Sequence, residues 1–384
     1  MPKNDSKLCY VLPLYDLDTD THYFHLYEFI EEIGRKCSVY LVVEKAKSDV
    51  QIKNIEGCYI QRFRWFPLRI AELIFVVFKV RLLGYRKYYI HYSILPALII
   101  AIIAKATRAK TYLWCCVMAK THYAKWEMNF NSIKRKLFID IPMDISFSMV
   151  DYLVTCNCFM KEYLRINYKK NNVIVIPNWV NLKRFNIENS KDKEKYKKSL
   201  NILEDKKIVL YLHSIDVNRG SHLITTIAQK VIEKYKNVLF IIAGSGPYEN
   251  KLKKDIADTN FHDIIKYIGK IPNKDVVSLF CVADIFINPT VQEAFGRVLL
   301  ESMAMGVPFV STDGGGGVLS FTSKKQQKYI AKPEDIEEFS EKILELLNNK
   351  EKRDVLKKEG LELVRNYNIE NIAEKYIELV IMDN

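Results

Sequence analysis

Residues 289–317 read PTVQEAFGRVLLESMAMGVPFVSTDGGGG, and this stretch decides how the chain is expected to fold. An apolar run at 285–289 leads into it, a helical pattern covers 295–305, and a second apolar run occupies 308–312. This succession predicts two buried parallel strands connected by a helix. Glu293 falls in the loop between the first strand and the helix, and Glu301 falls on the helix itself.

The same alternation of strand and helix patterns runs along most of the chain. The first half predicts strands at 8–14, 38–44, 88–92, 111–115, 152–155 and 173–176, with helices such as 21–33 and 70–83. A lysine-rich stretch at 181–207 is interpreted as a linker with a short helix. The alternation then restarts, with strands at 208–213, 238–244, 264–269, 285–289 and 308–312. We therefore predict an α/β protein with two tandem doubly wound domains facing a central cleft, because ligands bind beyond the carboxyl ends of such strands.

Composition excludes several other classes of protein. The chain has 384 residues, 49% of them apolar and 27% charged, which is typical of a soluble protein with more than one domain. Its eight cysteines include no C-x-x-C pair, which favours reduced thiols and the cytoplasm over a zinc site. The apolar run at 8–14 is soon followed by Asp16, Asp18 and Asp20 and is interpreted as a strand rather than a signal peptide. The uncharged stretch at 88–104 is shorter than the roughly 18 to 20 residues that a membrane span needs.

Positive charge is concentrated in the first half of the chain. Residues 51–136 hold 16 lysines and arginines but 3 aspartates and glutamates, close to Phe63, Trp65, Phe66 and an apolar run at 73–78. This composition fits a surface that lies on an anionic membrane, where each cation contributes about 1 kcal/mol. A solvated basic face of a lysine-rich protein explains it equally well. No nucleic-acid-binding module is recognisable, so no nucleic-acid partner is predicted.

The loop and helix after 285–289 suit a ligand that contains phosphate. The helix begins near Phe295 and Gly296, so its first amides and the positive end of its dipole lie where the strands end. Gly296 permits close approach of the backbone to a ligand. Glu301 can accept two hydrogen bonds from a vicinal diol such as a ribose, and Glu293 would contact a group beyond the phosphates. The plain alternative is that Glu293 caps the helix and Glu301 is simply exposed.

Together with its surroundings, this stretch resembles the Glu-x7-Glu element of the retaining GT-B glycosyltransferases of family four, glycosyl transferases group 1. That element has the form E-x-F-G-x-x-x-x-E-A-M-A-x-G-x-P-V, and the matching residues here are Glu293, Phe295, Gly296, Glu301, Met303, Ala304, Gly306 and Pro308. Upstream, IPNWVN at 176–181 and FIIAGSGP at 240–247 are similar to two further family motifs. Arg219 and Gly220 fall where the family has a Lys-Gly pair. The matches run in the expected order from about residue 151 to residue 315.

The resemblance implies two Rossmann-like domains, of which the second binds a nucleotide-diphosphate sugar, with no cofactor and no metal required. The implied catalytic residues are Glu293, which would contact the sugar hydroxyls and support the developing oxocarbenium charge, and Arg219, which would neutralise the leaving diphosphate. Glu301 would hold the ribose. The other implied donor-binding residues are Ser214, Gly220, Gly244, Gly246, Pro247, Ile271, Phe295, Gly296, Arg297 and Val298.

Three positions depart from the family pattern. Ser214 stands where the family usually has an arginine, five residues before the Lys-Gly lysine. The run GGGGVL at 314–319 lacks the glutamate of the family's G-G-x-x-E. The first domain of family members often has a histidine at the position where this chain has Cys115, Cys116 and Val117. The nearest histidine here is His122. A changed donor or a specialised acceptor explains these departures better than loss of activity, although both stay open.

Acceptor contacts are predicted in the first domain, at Asp18, Thr21, His22 and His122. The pattern Asp-x-Asp-x-Asp at 16–20 is similar to the metal-binding Asp-x-Asp of the other glycosyltransferase fold, but its place between a strand and a helix favours N-capping or acceptor contact. No third ligand accompanies His22 and His25, so no metal site is predicted. Glycines 244 and 246 lack the third glycine of a dinucleotide fingerprint, which argues against a dehydrogenase.

We therefore expect a glycosyltransferase that moves a hexose-type sugar from a nucleotide-diphosphate sugar to a glycan or lipid-linked acceptor, with retention, in cell-surface polysaccharide or glycolipid assembly. The expected domains are an acceptor-binding domain at 1–185, a donor-binding domain at 186–365 and a final helix at 366–384 that packs back on the first domain. The expected location is cytoplasmic, with peripheral association at the inner face of the membrane. The alternatives are a catalytically idle binding subunit, or a sugar-nucleotide epimerase or phosphorylase on the same fold.

Overall fold

The computed structural model describes residues 4–16, 24–116, 118, 136–188, 193–200, 202, 206–261 and 263–382. The strands are β1 Asn4–Leu12, β2 Cys37–Val43, β3 Gly57–Ile60, β4 Lys87–His91, β5 Lys110–Trp114, β6 Tyr152–Thr155, β7 Val173–Val175, β8 Lys207–Leu212, β9 Val238–Ala243, β10 Ile265–Gly269, β11 Ile285–Asn288, β12 Phe309–Thr312 and β13 Ile330–Ala331. The helices are α1 Phe24–Gly34, α2 Phe66–Leu82, α3 Ile94–Ala106, α4 Ile141–Met149, α5 Cys158–Tyr168, α6 Lys193–Ser199, α7 Ile224–Lys234, α8 Glu249–Ala257, α9 Val276–Val282, α10 Arg297–Ala304, α11 Lys324–Gln327, α12 Ile336–Asn348, α13 Lys350–Leu363 and α14 Ile369–Tyr376.

These elements form two compact units. One contains the chain up to Pro177 together with the segment from Ile369 onward, and the other contains Asn178–Asn368. The chain therefore leaves the first unit once and returns to it at α14.

The first unit is built on a seven-stranded parallel sheet in the order β3-β2-β1-β4-β5-β6-β7. Strand β2, which lies between β3 and β1, is buried along its whole length, and this explains its almost continuous apolar sequence CSVYLVV. Helices α2 and α3 cover one face of this sheet through small and branched side chains such as Val76, Val80, Ile100 and Ala104. At the other end of the chain, Tyr376 of α14 packs its ring against Phe29 and Tyr89, with centroid distances of 5.3 and 4.9 Å.

The second unit is built on a six-stranded parallel sheet in the order β10-β9-β8-β11-β12-β13. Helix α7 shows how the sequence encodes this packing, because Ile224, Ile227, Ala228 and Val231 recur at the spacing of one helical face and are all buried. In both sheets the strand order reverses at one point, between β1 and β4 in the first and between β8 and β11 in the second. Ligands of open α/β sheets bind at the carboxyl ends of strands beside such a reversal.

The predicted α/β class with two tandem doubly wound domains is confirmed, and the predicted strands lie within a few residues of those observed. Strands β3 and β13 were not predicted. Both are edge strands of four and two residues, and β3 is only partly buried, so neither produces the apolar run by which a buried strand is recognised. No helix in the described part of the chain is long and apolar enough to cross a bilayer.

Candidate active site at the carboxyl edge of the second sheet

The loops that leave β8 and β11 meet at the point where the strand order reverses. These two strands are direct neighbours, so the residues that follow them are brought to one place on the edge of the sheet. The loop after β8 carries His213 and Arg219, and the loop after β11 carries Glu293. The backbone N–H of Val291 donates to the carbonyl oxygen of Asn218 at 2.9 Å and joins the two loops.

The carboxylate of Glu293 is held between the two loops. Arg219 donates from Nη1 to Oε2 of Glu293 at 2.7 Å, and the Nε2 atom of His213 lies 3.9 Å from the same oxygen. The other oxygen, Oε1, accepts a longer hydrogen bond of 3.4 Å from the backbone N–H of Phe295. The backbone N–H of Glu293 donates to the carbonyl oxygen of Gly314 at 2.8 Å. Both the side chain and the backbone of this glutamate are therefore fixed in position.

The turn that carries Arg219 depends on the glycine that follows it. Val217–Arg219 form a 3-10 turn capped by Asp216, whose Oδ1 accepts the N–H of Asn218 at 2.8 Å. Gly220 follows with φ of 72°, and a Cβ at this position would lie 2.0 Å from the carbonyl oxygen of Pro289. Glycine avoids both the strain of a left-handed backbone and this collision. Gly220 therefore sets how closely the Arg219 turn approaches the end of β11.

His213 belongs to this site although the sequence did not predict it. Its Nδ1 accepts the backbone N–H of Ser214 at 2.8 Å, so in a neutral ring the proton is carried by Nε2. Burial lowers the pKa of His213 well below its usual value, and the positive charges of Arg219 and Arg297 lower it further. The ring is therefore an uncharged donor at neutral pH, with its N–H group beside Glu293. The only signal in the sequence is its position as the last residue of the predicted strand at 208–213.

Helix α10 presents its N-terminus at the same edge. Gly296 is its N-cap residue, and no side chain caps the helix. Among the described residues, the N–H groups of Gly296, Arg297 and Val298 have no backbone acceptor, which is expected of a first helical turn and suits an anion. Glu301 is buried on this helix, with Oε1 2.9 Å from Nη1 of Arg297. The alternative in which Glu293 caps the helix and Glu301 is exposed is therefore wrong.

Phe295 and the glycines at 314–317 pack beside the backbone of the Glu293 loop. The ring of Phe295 is buried and stacks on Phe321 with 4.4 Å between centroids, so only its backbone can contact a ligand. A Cβ on Gly314 would lie 2.5 Å from the Cβ of Glu293. A Cβ on Gly317 would lie 2.4 Å from the carbonyl oxygen of Glu293. The glycines at 314–317, which begin the run at 314–319 that lacks a glutamate, thus leave space for the Glu293 loop.

The other predicted donor-binding residues follow neighbouring strands at the same edge. Gly220 follows the Arg219 turn, Ser214 follows β8, Gly244, Gly246 and Pro247 follow β9, and Ile271 follows β10. The hydroxyl of Ser214 donates to the carbonyl oxygen of Ser245 at 3.4 Å, so this serine adds no positive charge where the family has arginine. The N–H of Gly244 donates to the carbonyl oxygen of Gly269 at 2.8 Å and ties the β9 and β10 loops together.

The predicted acceptor residues Asp18, Thr21, His22 and His122 lie outside the described residues. Within the described ranges, no three or more His, Cys, Asp or Glu side chains are grouped so that they could hold a metal ion.

A cavity of about 180 Å³, which was not predicted from the sequence, lies at the carboxyl edge of the first sheet. Its polar wall contains Glu44 after β2, Gln61 after β3, and Arg69 on α2. Arg69 and Ser93 both donate to the carboxylate of Glu44. Burial raises the pKa of Glu44, and these two donors oppose that effect. The apolar wall is formed by Phe66, Ile70, Leu73, Leu95, Pro96 and Ile99.

Comparison with solved structures defines the fold. The structure of Anabaena HepE in complex with UDP and glucose matches this chain with a TM-score of 0.76 at 14% sequence identity, covering 97% of this chain and 98% of that chain. The fold is therefore the GT-B fold of glycosyltransferases, with two Rossmann-like domains.

Comparison of sequences adds a match within the second unit. Residues 192–363 match the family model described as glycosyl transferases group 1. The phosphatidylinositol N-acetylglucosaminyltransferase GPI3 subunit of Saccharomyces cerevisiae is 26% identical over 49% of this chain and 41% of its own length. The capsular polysaccharide biosynthesis glycosyltransferase CapM of Staphylococcus aureus is 26% identical over 57% of this chain and 58% of its own length. The chain thus spans about half the length of the curated relatives it matches. The matched family model and both relatives are named as glycosyltransferases.

Proposed function

We propose that this protein is a glycosyltransferase that moves a hexose-type sugar from a nucleotide-diphosphate sugar to a glycan or lipid-linked acceptor, with retention of anomeric configuration. The observation that carries the proposal is the position of Glu293. Its carboxylate is fixed by Arg219 at the reversal point of the second sheet, beside the N-terminus of α10. A cation, a helix N-terminus and a carboxylate at one edge are the groups that a sugar diphosphate requires.

Each group has a proposed role in the transfer. Glu293 contacts the sugar hydroxyls and stabilises the positive charge that develops on the sugar as the bond to the diphosphate breaks. Arg219 and the amides of Gly296, Arg297 and Val298 bind the diphosphate and stabilise the charge it gains on leaving. Glu301 accepts hydrogen bonds from the ribose. The loops that hold Ser214, Gly220, Gly244, Gly246, Pro247 and Ile271 line the nucleotide pocket. No metal or cofactor is needed in this scheme.

The acceptor is proposed to bind in the domain at 1–185, to which the helix at 366–384 also contributes, whereas 186–365 bind the donor. Within that first domain, the cavity lined by Glu44, Gln61 and Arg69 is the best-supported acceptor site, because it combines an apolar wall with hydrogen-bonding groups at the carboxyl edge of the sheet. A lipid-linked or glycan acceptor matches this mixture. We place the enzyme in the cytoplasm, peripherally associated with the inner face of the membrane, in polysaccharide or glycolipid assembly.

Donor binding is tested by calorimetry of the purified protein with UDP, GDP, ADP and their common sugar conjugates, with and without magnesium. One nucleotide should bind without magnesium, and Glu301→Gln should weaken it about ten-fold or more, because a carboxylate that accepts hydrogen bonds is replaced by a weaker acceptor. Asp354→Asn is the matched control, since Asp354 pairs with Lys350 at the same helical spacing as Arg297 and Glu301 but on α13. Equal affinity of parent and Glu301→Gln would remove Glu301 from the ribose.

Turnover is tested by the release of nucleoside diphosphate from the donor in the absence of acceptor. Glu293→Gln should lower this release about 100-fold or more while nucleoside diphosphate affinity stays unchanged, because the carboxylate acts on the sugar in the transition state. Equal release by parent and Glu293→Gln would exclude the role of Glu293. No release by the parent itself would favour the idle binding subunit, return of an isomer of the donor would indicate an epimerase, and consumption of phosphate would indicate a phosphorylase.

A further inference from the structure

Helix α2 exposes apolar side chains where a helix on the surface of a soluble domain normally carries polar ones. Its inner face is buried through residues such as Leu73, Val76, Val77 and Val80. The outer face is apolar as well, with Phe75 exposed by 62% and Leu82 by 88%. The outer residues recur at the spacing of a single stripe along the helix, which we call the α2 stripe: Leu68, Ala71, Phe75, Phe78 and Leu82.

The few polar side chains of α2 do not interrupt this stripe. Glu72 is buried and accepts the backbone N–H groups of Arg62 and Phe63 at 2.9 and 3.2 Å, so its charge is directed away from solvent. Arg69 donates to Glu44 in the cavity of the first sheet. Arg81 donates to the carbonyl oxygen of Thr107. These three polar residues are engaged elsewhere, and the remaining one, Lys79, is exposed beside the stripe with its Nζ 5.9 Å from the centroid of the Tyr59 ring.

More apolar side chains and a set of cations surround the stripe. Trp65 precedes α2 and is exposed by 66%, and Leu83 follows it. Residues 51–116 contain 11 lysines and arginines and 2 acidic residues, Glu56 and Glu72. The exposed cations near the two ends of α2 and on the neighbouring helix are Arg62, Arg64, Arg86, Lys105 and Arg108. A soluble domain rarely exposes so large an apolar patch to solvent. Cations at the border of the patch complement an anionic surface.

We propose that the α2 stripe lies in the headgroup boundary of an anionic bilayer, parallel to its surface, with Trp65 at the interface and the surrounding cations on the phosphates and carboxylates of the lipids. At 17 residues and 1.5 Å per residue, α2 would cover about 25 Å of membrane surface without crossing it. The spacing of the stripe would also suit a partner helix. The bilayer is favoured because this border is basic throughout and because aromatic and basic residues together are the pattern of interfacial helices. This inference does not depend on the transfer reaction.

The test is sedimentation of the protein with vesicles of phosphatidylcholine alone or with about 30% phosphatidylserine, whose negative surface potential attracts basic segments. Binding is expected to the anionic vesicles, weakened by salt, with a blue shift of tryptophan fluorescence. The double variant Phe75→Ser/Phe78→Ser should lower the partition coefficient about ten-fold or more, since it removes two exposed aromatic side chains that would enter the bilayer. Leu82→Ser is a second variant, chosen because so exposed a residue contributes little to folding.

Ile166→Ser is the matched control, because Ile166 is exposed by 63% on α5 of the same unit and lies outside the stripe. It should leave vesicle binding unchanged, and all variants should keep the parent's melting temperature. Equal binding to both vesicle types, or equal binding by the double variant and the parent, would overturn the proposal. Self-association without vesicles that the double variant abolishes would also overturn it, because the stripe would then be an interface between copies. None of these results affects nucleotide binding, so they leave the proposed function separately testable.

Discussion

At the scale of single residues, the candidate site depends on keeping one carboxylate and one guanidinium together without adding a further positive charge. Glu293 and Arg219 form this pair at 2.7 Å, and His213 stands beside it as a neutral ring. A protonated His213 would add a cation between Arg219 and Arg297, which explains why these arginines lower its pKa. The histidine thus supplies a hydrogen-bond donor where a second charge would be unfavourable.

The neutral state of His213 makes stability depend on pH. In the unfolded chain a histidine takes up a proton below about pH 6.5, whereas the folded protein keeps His213 neutral until its lowered pKa is reached. Between these two values the unfolded state binds more protons, so stability falls as the pH falls, by about 1.4 kcal/mol per unit. Stability is fully regained above about pH 6.5.

His213→Asn should therefore flatten the dependence of the melting temperature on pH below about 6.5, because asparagine can still accept the N–H of Ser214 but does not titrate. The measurement is thermal unfolding of parent and variant at a series of pH values between about 5 and 8. If both show the same slope, His213 is not the group that is held neutral.

The residues of this site differ in how far the sequence could predict them. Glu293 and Arg219 were predicted because they stand in a motif whose order along the chain is recognisable. His213 was not, since its contact with Glu293 arises from the adjacency of β8 and β11, which are separated along the chain by two other strands. Glu44 and Arg69 of the cavity were not predicted to pair, because they lie 25 residues apart in the chain and no motif connects them.

At the scale of elements, the loops after β8 and β11 can approach only because of glycine. Gly220→Ala should destabilise the second unit by more than the roughly 1–2 kcal/mol that a left-handed alanine costs, since its Cβ would also collide with Pro289, and it should weaken nucleotide binding by displacing Arg219. Gly269→Ala is the matched control: its φ is 73°, similar to that of Gly220, but a Cβ there meets nothing within 4 Å. Melting temperatures of both variants measure the loss of stability, and calorimetry measures the loss of nucleotide affinity. Equal losses in Gly220→Ala and Gly269→Ala would show that the collision with Pro289 adds nothing to the cost of the left-handed backbone.

Elements were predicted best where burial is complete. Strands such as β9 and β11 are buried at every residue and produce unbroken apolar runs, whereas β3 is partly exposed and has no such pattern. Helix α2 was predicted to begin at 70 but begins at Phe66, because Pro67 lies in its first turn and fits there without losing a hydrogen bond. The sequence pattern also could not show which apolar residues of α2 face solvent, since both of its faces are apolar.

At the scale of the whole molecule, each unit has its own core, and α14 belongs to the first. Tyr376→Ala removes a fully buried ring between Phe29 and Tyr89 and should destabilise the first unit by about 3–5 kcal/mol. Tyr376→Phe is the control, because it keeps the ring and removes a hydroxyl that has no hydrogen-bond partner among the described residues.

Hydrogen exchange followed by mass spectrometry distinguishes the two units. Tyr376→Ala should speed exchange in β1, β4 and α1 and leave β8 and β11 as in the parent, and Tyr376→Phe should match the parent throughout. Equally faster exchange in both sheets would mean that the two units unfold together.

The return of the chain at Ile369 also sets the order in which a newly made protein can fold. The strands of the first sheet leave the ribosome first, yet Tyr376 follows only after residues 178–368 have been translated. At 5–20 residues per second this leaves the nascent first unit without its closing helix for roughly ten to forty seconds. The second unit, whose strands are contiguous in the chain, can complete its sheet within that interval. The half that is synthesised first is therefore finished last, and a premature stop codon near 368 would damage the first unit while leaving the second whole.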